Sequence, residues 1–253
     1  MAAVQLVDIV TYLDGYLRIA EVPDAEHALN GLQVENSGGV TRVAAAVDAS
    51  ARTVREVVRR GCNLLLVHHG LYWDGNRPLI GRRYRKLKPL LQADVAVYSA
   101  HLPLDVHEQV GNNVQLLRAL RIEPAGQFGK NRGIELGWWG SVQLKREVLA
   151  ARLADVLGTR VHIMPCGPEI VRRVGVVTGG AGSMITDAVA ARLDAFITGE
   201  GHHHHHFDAE ESGINVFFGG HYATETFGVR ALAEHLEGRF GLAWEFIDHP
   251  TGL

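Results

Sequence analysis

The sequence of 253 residues is poor in cysteine. Cys62 and Cys166 stand alone, neither in a Cys-x-x-Cys pair, which argues against a disulfide framework or a thiolate metal site. Both are expected to be small buried hydrophobes. No apolar run approaches the roughly 18 to 20 residues of a membrane span. The N-terminus lacks the basic, apolar, small-residue pattern of a signal peptide, so a cytoplasmic location is expected. A formal charge of −3 supplies no global attraction to nucleic acid. Hydrophobic residues make up 47% of the chain, enough to bury the core of one large domain or two small ones.

Histidine, by contrast, is plentiful. Two phrases at the ends of apolar runs read strand, then His-x-x-x-acid: Ala96 to Asp105 with His101, and Val216 to Glu225 with His221. A third apolar run, Leu64 to Val67, ends in His68, His69 and Gly70. Three strand ends thus carry the side chains that bind divalent metals. Adjacent residues leave a strand on opposite sides, so His68 and His69 reach one centre only if the chain turns, as Gly70 permits, or if each takes a different ion.

The phrases sit in an internal repeat. Arg42 opens a strand, a helix follows, and Asn63 opens the next strand; Arg173 and Asp194 repeat this, with 21 residues in each interval. The expectation is an α/β protein with two similar lobes, residues 1–125 and 126–253, facing across a shared metal cleft. The segment 121–132, holding Pro124, Gly126 and Gly129, is the expected boundary. A C-terminal strand over 243–247 is expected, with return to the first lobe as an option. Helical periodicity predicts an opening helix over 4–20 and further helices over 51–60, 145–157 and 224–236. Strands are expected over 43–47, 64–67, 95–99, 134–142, 161–164 and 216–218.

Five of the histidines form the run His202 to His206. It is internal, whereas expression tags sit at termini, so it reads as a native loop able to bind metal adventitiously. Gly179 to Ser183 reads as a tight strand-to-helix turn, with anion contact at the helix start as the lesser option. Arg82 to Lys88 packs five positive charges into seven residues. A solvated helix face is the ordinary reading, and a phosphate or nucleic-acid contact the functional one. Trp138 and Trp139 are expected in the core or at an oligomer interface.

Asn30-Gly-Leu-Gln-Val, Val67-His-His-Gly, His101-Leu-Pro-Leu-Asp105 with Gly111-Asn-Asn, Ile197-Thr-Gly-Glu200 and Gly219-Gly-His-Tyr-Ala-Thr-Glu225 resemble, in order, the motifs of the Nif-three-like dinuclear metal proteins, homologues of type 2 GTP cyclohydrolase I. The resemblance covers almost the whole chain. It implies two divalent ions (Zn, Fe, Mn or Ni) held by His68, His69, Asp105, His221 and Glu225, with Glu225 bridging. It also implies a toroidal homohexamer. His101, the repeat counterpart of His221, is not among the family's usual ligands and is expected to orient Asp105 or a metal-bound water, or to face the substrate. His101 and Glu200 are the candidates for moving the proton in hydrolysis of a small nucleotide-like or amide-containing molecule. The alternative is a metal-binding or metal-delivery protein without turnover.

Overall fold

The computed structural model describes residues 3–252. It divides into two compact units: residues 1–104 with 229–249, and residues 105–228 with 250–253.

The first unit opens with β1 (Val4–Gln5) and α1 (Leu6–Tyr16), whose Leu6, Ile9 and Leu13 recur at helical spacing and are buried. Then come β2 (Gly31–Val34), β3 (Gly39–Val40), β4 (Arg42–Asp48), α2 (Ala51–Arg59), β5 (Leu64–His69), α3 (Gly81–Gln92), β6 (Ala96–Ser99) and the short α4 (Leu102–Asp105). Ser50 caps α2 by accepting the Thr53 backbone N–H, a bond worth about 1 kcal/mol. β4, β5 and β6 are parallel neighbours, and β2 adds antiparallel to β6. Parallel strands covered on both faces lose the alternation of apolar and polar residues. This accounts for the unbroken apolar run Leu64–Val67.

The second unit holds α5 (Asn112–Ala119), β7 (Pro124–Asn131), β8 (Ile134–Lys145), α6 (Arg146–Leu157), β9 (His162–Pro165), β10 (Ile170–Val176), α7 (Ile185–Ala190), β11 (Ala195–Thr198), α8 (His205–Ser212), β12 (Asn215–Phe218) and α9 (His221–Thr224). Its sheet runs β7-β8-β10-β11-β12-β9, with β10, β11 and β12 parallel and the flanking strands antiparallel. α10 (Thr226–Phe240) follows, and β13 (Ala243–Phe246) pairs parallel with β4 of the first unit. Glu245 of β13 ties this return with ion pairs to Arg42 (2.9 Å) and Arg60 (2.5 Å).

The segment expected as the boundary between lobes instead holds β7. Asn131 pairs with Ile134 across a two-residue turn in which Arg132 and Gly133 both have positive φ, the turn that matches the twist of a hairpin. Gly126 is required by close approach, since a Cβ there would press on the Trp139 indole. The segment 105–125 belongs to the second unit because Leu116, Leu117, Leu120 and Ile122 pack into one core with Val174, Val176, Ile197 and Phe217. Trp138 packs against that core and donates its indole N–H to the Val106 carbonyl, while Trp139 lies 3.8 Å under the Arg173 guanidinium. Among the described residues no helix is long and apolar enough to cross a membrane.

Candidate metal centre

In the first unit, the ends of β5 and β6 carry three histidines whose rings gather. Centroids of His68 and His69 are 4.7 Å apart, His68 and His101 4.9 Å, and His69 and His101 5.6 Å. Ligating atoms of the three lie within 4.8 Å of one another. The adjacent pair therefore does converge, at the strand end where Gly70 follows. A Cβ on Gly70 would overlap the Gln33 side chain, whose Oε1 accepts the Leu71 backbone N–H at 2.7 Å. Gln33 of the Asn30-Gly-Leu-Gln-Val phrase thereby holds the chain as it leaves His69.

Each ring is anchored through Nδ1. His68 Nδ1 donates to the Ala100 carbonyl, His69 Nδ1 to Asp48 and His101 Nδ1 to Asp24, all at 2.9 Å. An acceptor at Nδ1 fixes the tautomer that presents the Nε2 lone pair, the form in which imidazole binds a divalent cation. The Asp24 side chain is itself largely covered. Burial pushes its carboxyl up, but hydrogen bonds from His101, Asn30 and the Leu102 backbone outweigh this and hold it below the ordinary carboxylate value. Asn30 also accepts the His101 backbone N–H at 2.7 Å, locking the residue from both sides. Trp73 packs edge-on against His101, with ring centroids 4.8 Å apart, and against His69 at 5.8 Å.

In the second unit, Gly179, Glu200 and His221 follow the ends of β10, β11 and β12. His221 Nδ1 is held by Glu200 Oε1 at 2.8 Å, and its Nε2 lies 3.2 Å from Glu225 Oε1. This is the same Nδ1 anchoring found in the first unit. The Glu225 bond pushes the His221 pKa up to about 9 against the opposing effect of burial, with Glu200 adding to the rise. In the metal-free protein His221 is thus an imidazolium between two carboxylates. A divalent cation held by Nε2 and Glu225 would take the place of that proton.

Gly179 builds this corner. Its φ is +69°, its carbonyl accepts from Gly199 N, Glu200 N and Thr198 Oγ1, and a Cβ would overlap the Glu225 carboxylate. The glycines are there for the tight turn, as the sequence suggests. Asp105 stands on the neighbouring Thr178, whose hydroxyl donates to Oδ1 at 3.3 Å, while Asn112 donates to the same oxygen at 2.8 Å. Asn112 and Asn113 are completely buried; Asn112 accepts Gly228 N and Asn113 accepts Thr178 N. The Gly111-Asn-Asn phrase therefore positions Asp105.

The histidine run forms a turn that leads into α8. His202, His203 and His206 line a cavity of about 450 Å³ together with Glu200, His162 and Phe218. His205 is buried at the start of α8, and its Nδ1 accepts the His202 backbone N–H at 2.8 Å. Burial, followed by repulsion from His204, pushes the His205 pKa down, so this ring stays neutral. Ligating atoms of His204, His205 and Asp208 also lie within 4.8 Å of one another.

Sequence reasoning missed Asp24, Asp48 and Trp73. The two carboxylates lie in loops or at a strand end far from their histidines in the chain, and no local pattern marks them.

These features define an α/β protein with histidine and carboxylate groups able to hold divalent cations and no thiolate among them. The profile of the DUF34/NIF3 family (NGG1p interacting factor 3) matches residues 4–251, and the chain belongs to that family. A relative named GTP cyclohydrolase 1 type 2 homolog from Deinococcus radiodurans is 40% identical over 248 residues, spanning 97% of this chain and 94% of the relative. Among solved structures, TTHA1606 from Thermus thermophilus is 40% identical with a TM-score of 0.90, covering 99% of this chain and 100% of that one. The protein ybgI, described as of unknown function, is 36% identical with a TM-score of 0.91 over 99% of this chain and 100% of its own.

Proposed function

We propose that the chain is a dinuclear metal-dependent hydrolase of a small nucleotide-like or amide-containing substrate, of the GTP cyclohydrolase type. His68, His69, Asp105, His221 and Glu225 would hold the two ions. The observation that carries this reading is the Nδ1 anchoring of His68, His69 and His221, which leaves Nε2 of each ring to hold a cation. Nitrogen and carboxylate donors without thiolate fit Zn, Fe, Mn or Ni.

When bound, the divalent ions supply Lewis acidity for hydrolysis near neutral pH. The chain's own groups do the rest. Glu200, half-exposed and beside a cavity, takes a proton from or returns it to the substrate through the His221 side of the site. His101, held rigid by Asp24 and Asn30, faces the substrate with the Nε2 lone pair and accepts a proton there. The two halves are inferred to be copies of one unit. In support, Val43 pairs with Leu64 and Val174 with Ala195, the same offset of 21 residues in two β-α-β units. A toroidal homohexamer is the proposed assembly, favoured by exposed apolar residues such as Val7, Leu79, Ile80 and Leu91.

The test is turnover of GTP and of a panel of cyclic amides by protein loaded with each metal. Glu200→Gln and His101→Asn are expected to retain metal and lose about 100-fold in kcat, the usual scale for a proton-transfer group. Absence of turnover with every metal and substrate, beside readily exchanging metal, would favour the second reading of a metal-delivery protein. The run His202 to His206 beside Glu200 is the observation in favour of that reading.

A further inference from the structure

A cavity of about 310 Å³ in the first unit opens between the turn after β5 and the start of α3, lined among others by Gly70, Trp73, Asp74, Arg82, Arg83 and Lys86. Three of these groups are cations and one is a carboxylate. Asp74 is already engaged, pairing with Arg82 at 3.1 Å and Arg83 at 3.4 Å. Arg83 is buried and occupied, donating to the carbonyls of Arg77 and Gly75. It is a strut that shapes the wall.

Lys86 differs. Its side chain is half-buried, yet among the described residues no carboxylate or carbonyl lies within bonding distance of its ammonium. Burial pushes its pKa down; attraction to Asp74 opposes this, repulsion from Arg82 and Arg83 reinforces it, and Asp48, itself tied to His69, adds weak attraction. A cation held out of water without a counter-charge is unfavourable unless a ligand supplies one. Lys88, two residues on, shows the contrast, lying over the Tyr84 ring at 5.6 Å.

We propose that this cavity is a phosphate subsite, in which Lys86 and Arg82 bind the phosphate of a phosphorylated small molecule. Trp73 connects it to the chemistry, because the same indole lines the cavity and packs against His69 and His101. A nucleotide-sized molecule with its phosphate on Lys86 would extend along Trp73 toward the histidine cluster. Phosphate suits the site better than carboxylate, since a dianion balances the excess of two cations over carboxylates in the lining. The extension to a substrate rests on the hydrolase reading; the phosphate site does not. The basic run 82–88 thus divides, with Lys88 on a solvated face and Arg82 and Lys86 at the cavity.

The experiment is calorimetric titration of metal-stripped protein with inorganic phosphate and pyrophosphate, so that no bound ion can hold the anion. Saturable, salt-sensitive binding is expected, weakened about tenfold or more in Lys86→Met and in Arg82→Gln, the scale of losing a charge-assisted hydrogen bond. Lys88→Met should bind as the unmodified chain does. Arg82 is largely exposed, so its variant folds and keeps the test decisive. Equal binding by all three variants, no binding at millimolar anion, or binding only after metal is restored would overturn the subsite. If phosphate binds as expected but no substrate turns over, the hydrolase reading fails and the subsite stands.

Discussion

Raising the pH of the metal-stripped protein should destabilise it between about pH 6.5 and 9, and His221 is the reason. Its folded pKa is pushed up to about 9 by the Glu225 and Glu200 carboxylates, against an ordinary value of 6.5. A group whose folded pKa is raised contributes stability that is fully present below the unfolded pKa and lost as pH rises through the folded one. A difference of this size corresponds to at most about 3 kcal/mol, reduced by the partial exposure of the ring. His205 and His235 have lowered values, so their effect is confined to pH below about 6.5. Metal binding reverses the trend, because a cation at Nε2 requires the deprotonated ring and grows more favourable as pH rises. The assay is a series of urea melts at fixed ionic strength, with and without metal, on the unmodified chain and on Glu225→Gln. Glu225→Gln should flatten the metal-free profile. A metal-free stability that is constant or rising from about pH 6.5 to 9, or an equal slope in Glu225→Gln, would refute the imidazolium assignment.

Three further outcomes follow from the same geometry. Asp24→Ala strips the partner from His101 Nδ1, Asn30 Nδ2 and the Leu102 N–H at a buried site, and should cost about 2 to 4 kcal/mol in denaturant melts; a loss under about 1 kcal/mol would contradict its anchoring role. Gly179→Ala places a side chain in a left-handed conformation against Glu225, and should cost at least about 1 kcal/mol and weaken metal binding in equilibrium dialysis. The Cys62 thiol is pushed up to about 12 by burial and by Glu245, so it should resist a thiol reagent at neutral pH in native protein and react on unfolding; rapid native labelling at Cys62, mapped by mass spectrometry, would contradict this.

Much of the fold was legible because burial leaves a period in the chain. β4, α2, β5 and α6 fall within a few residues of their expected limits, and the C-terminal strand does pair with β4. β7 was not legible. Its glycines read as a boundary between lobes, whereas in the sheet Gly126 admits the Trp139 indole, and Gly133 after it closes a hairpin. The unit boundary was hidden for a related reason. The amphipathic α5 shows that it must pack, but only the fold shows that it packs with Val174 and Phe217. At the site, histidines and acids at strand ends announced themselves by type and spacing. Their supports did not, since Asp24 meets His101 across 77 residues of chain and Asp48 meets His69 across 21. The run His202 to His206 looked uniform in sequence, yet the fold separates the buried His205 from neighbours that face a cavity.

The central claim is tested most directly by counting metal. Protein purified without a metal column, with His202, His203, His204 and His206 replaced by Ser and the buried His205 kept, should carry about two divalent ions per chain by elemental mass spectrometry. Its Glu225→Ala partner should fall to one or none. No bound metal in either protein, even after supply of Zn, Mn, Fe and Ni, would contradict the dinuclear hydrolase account.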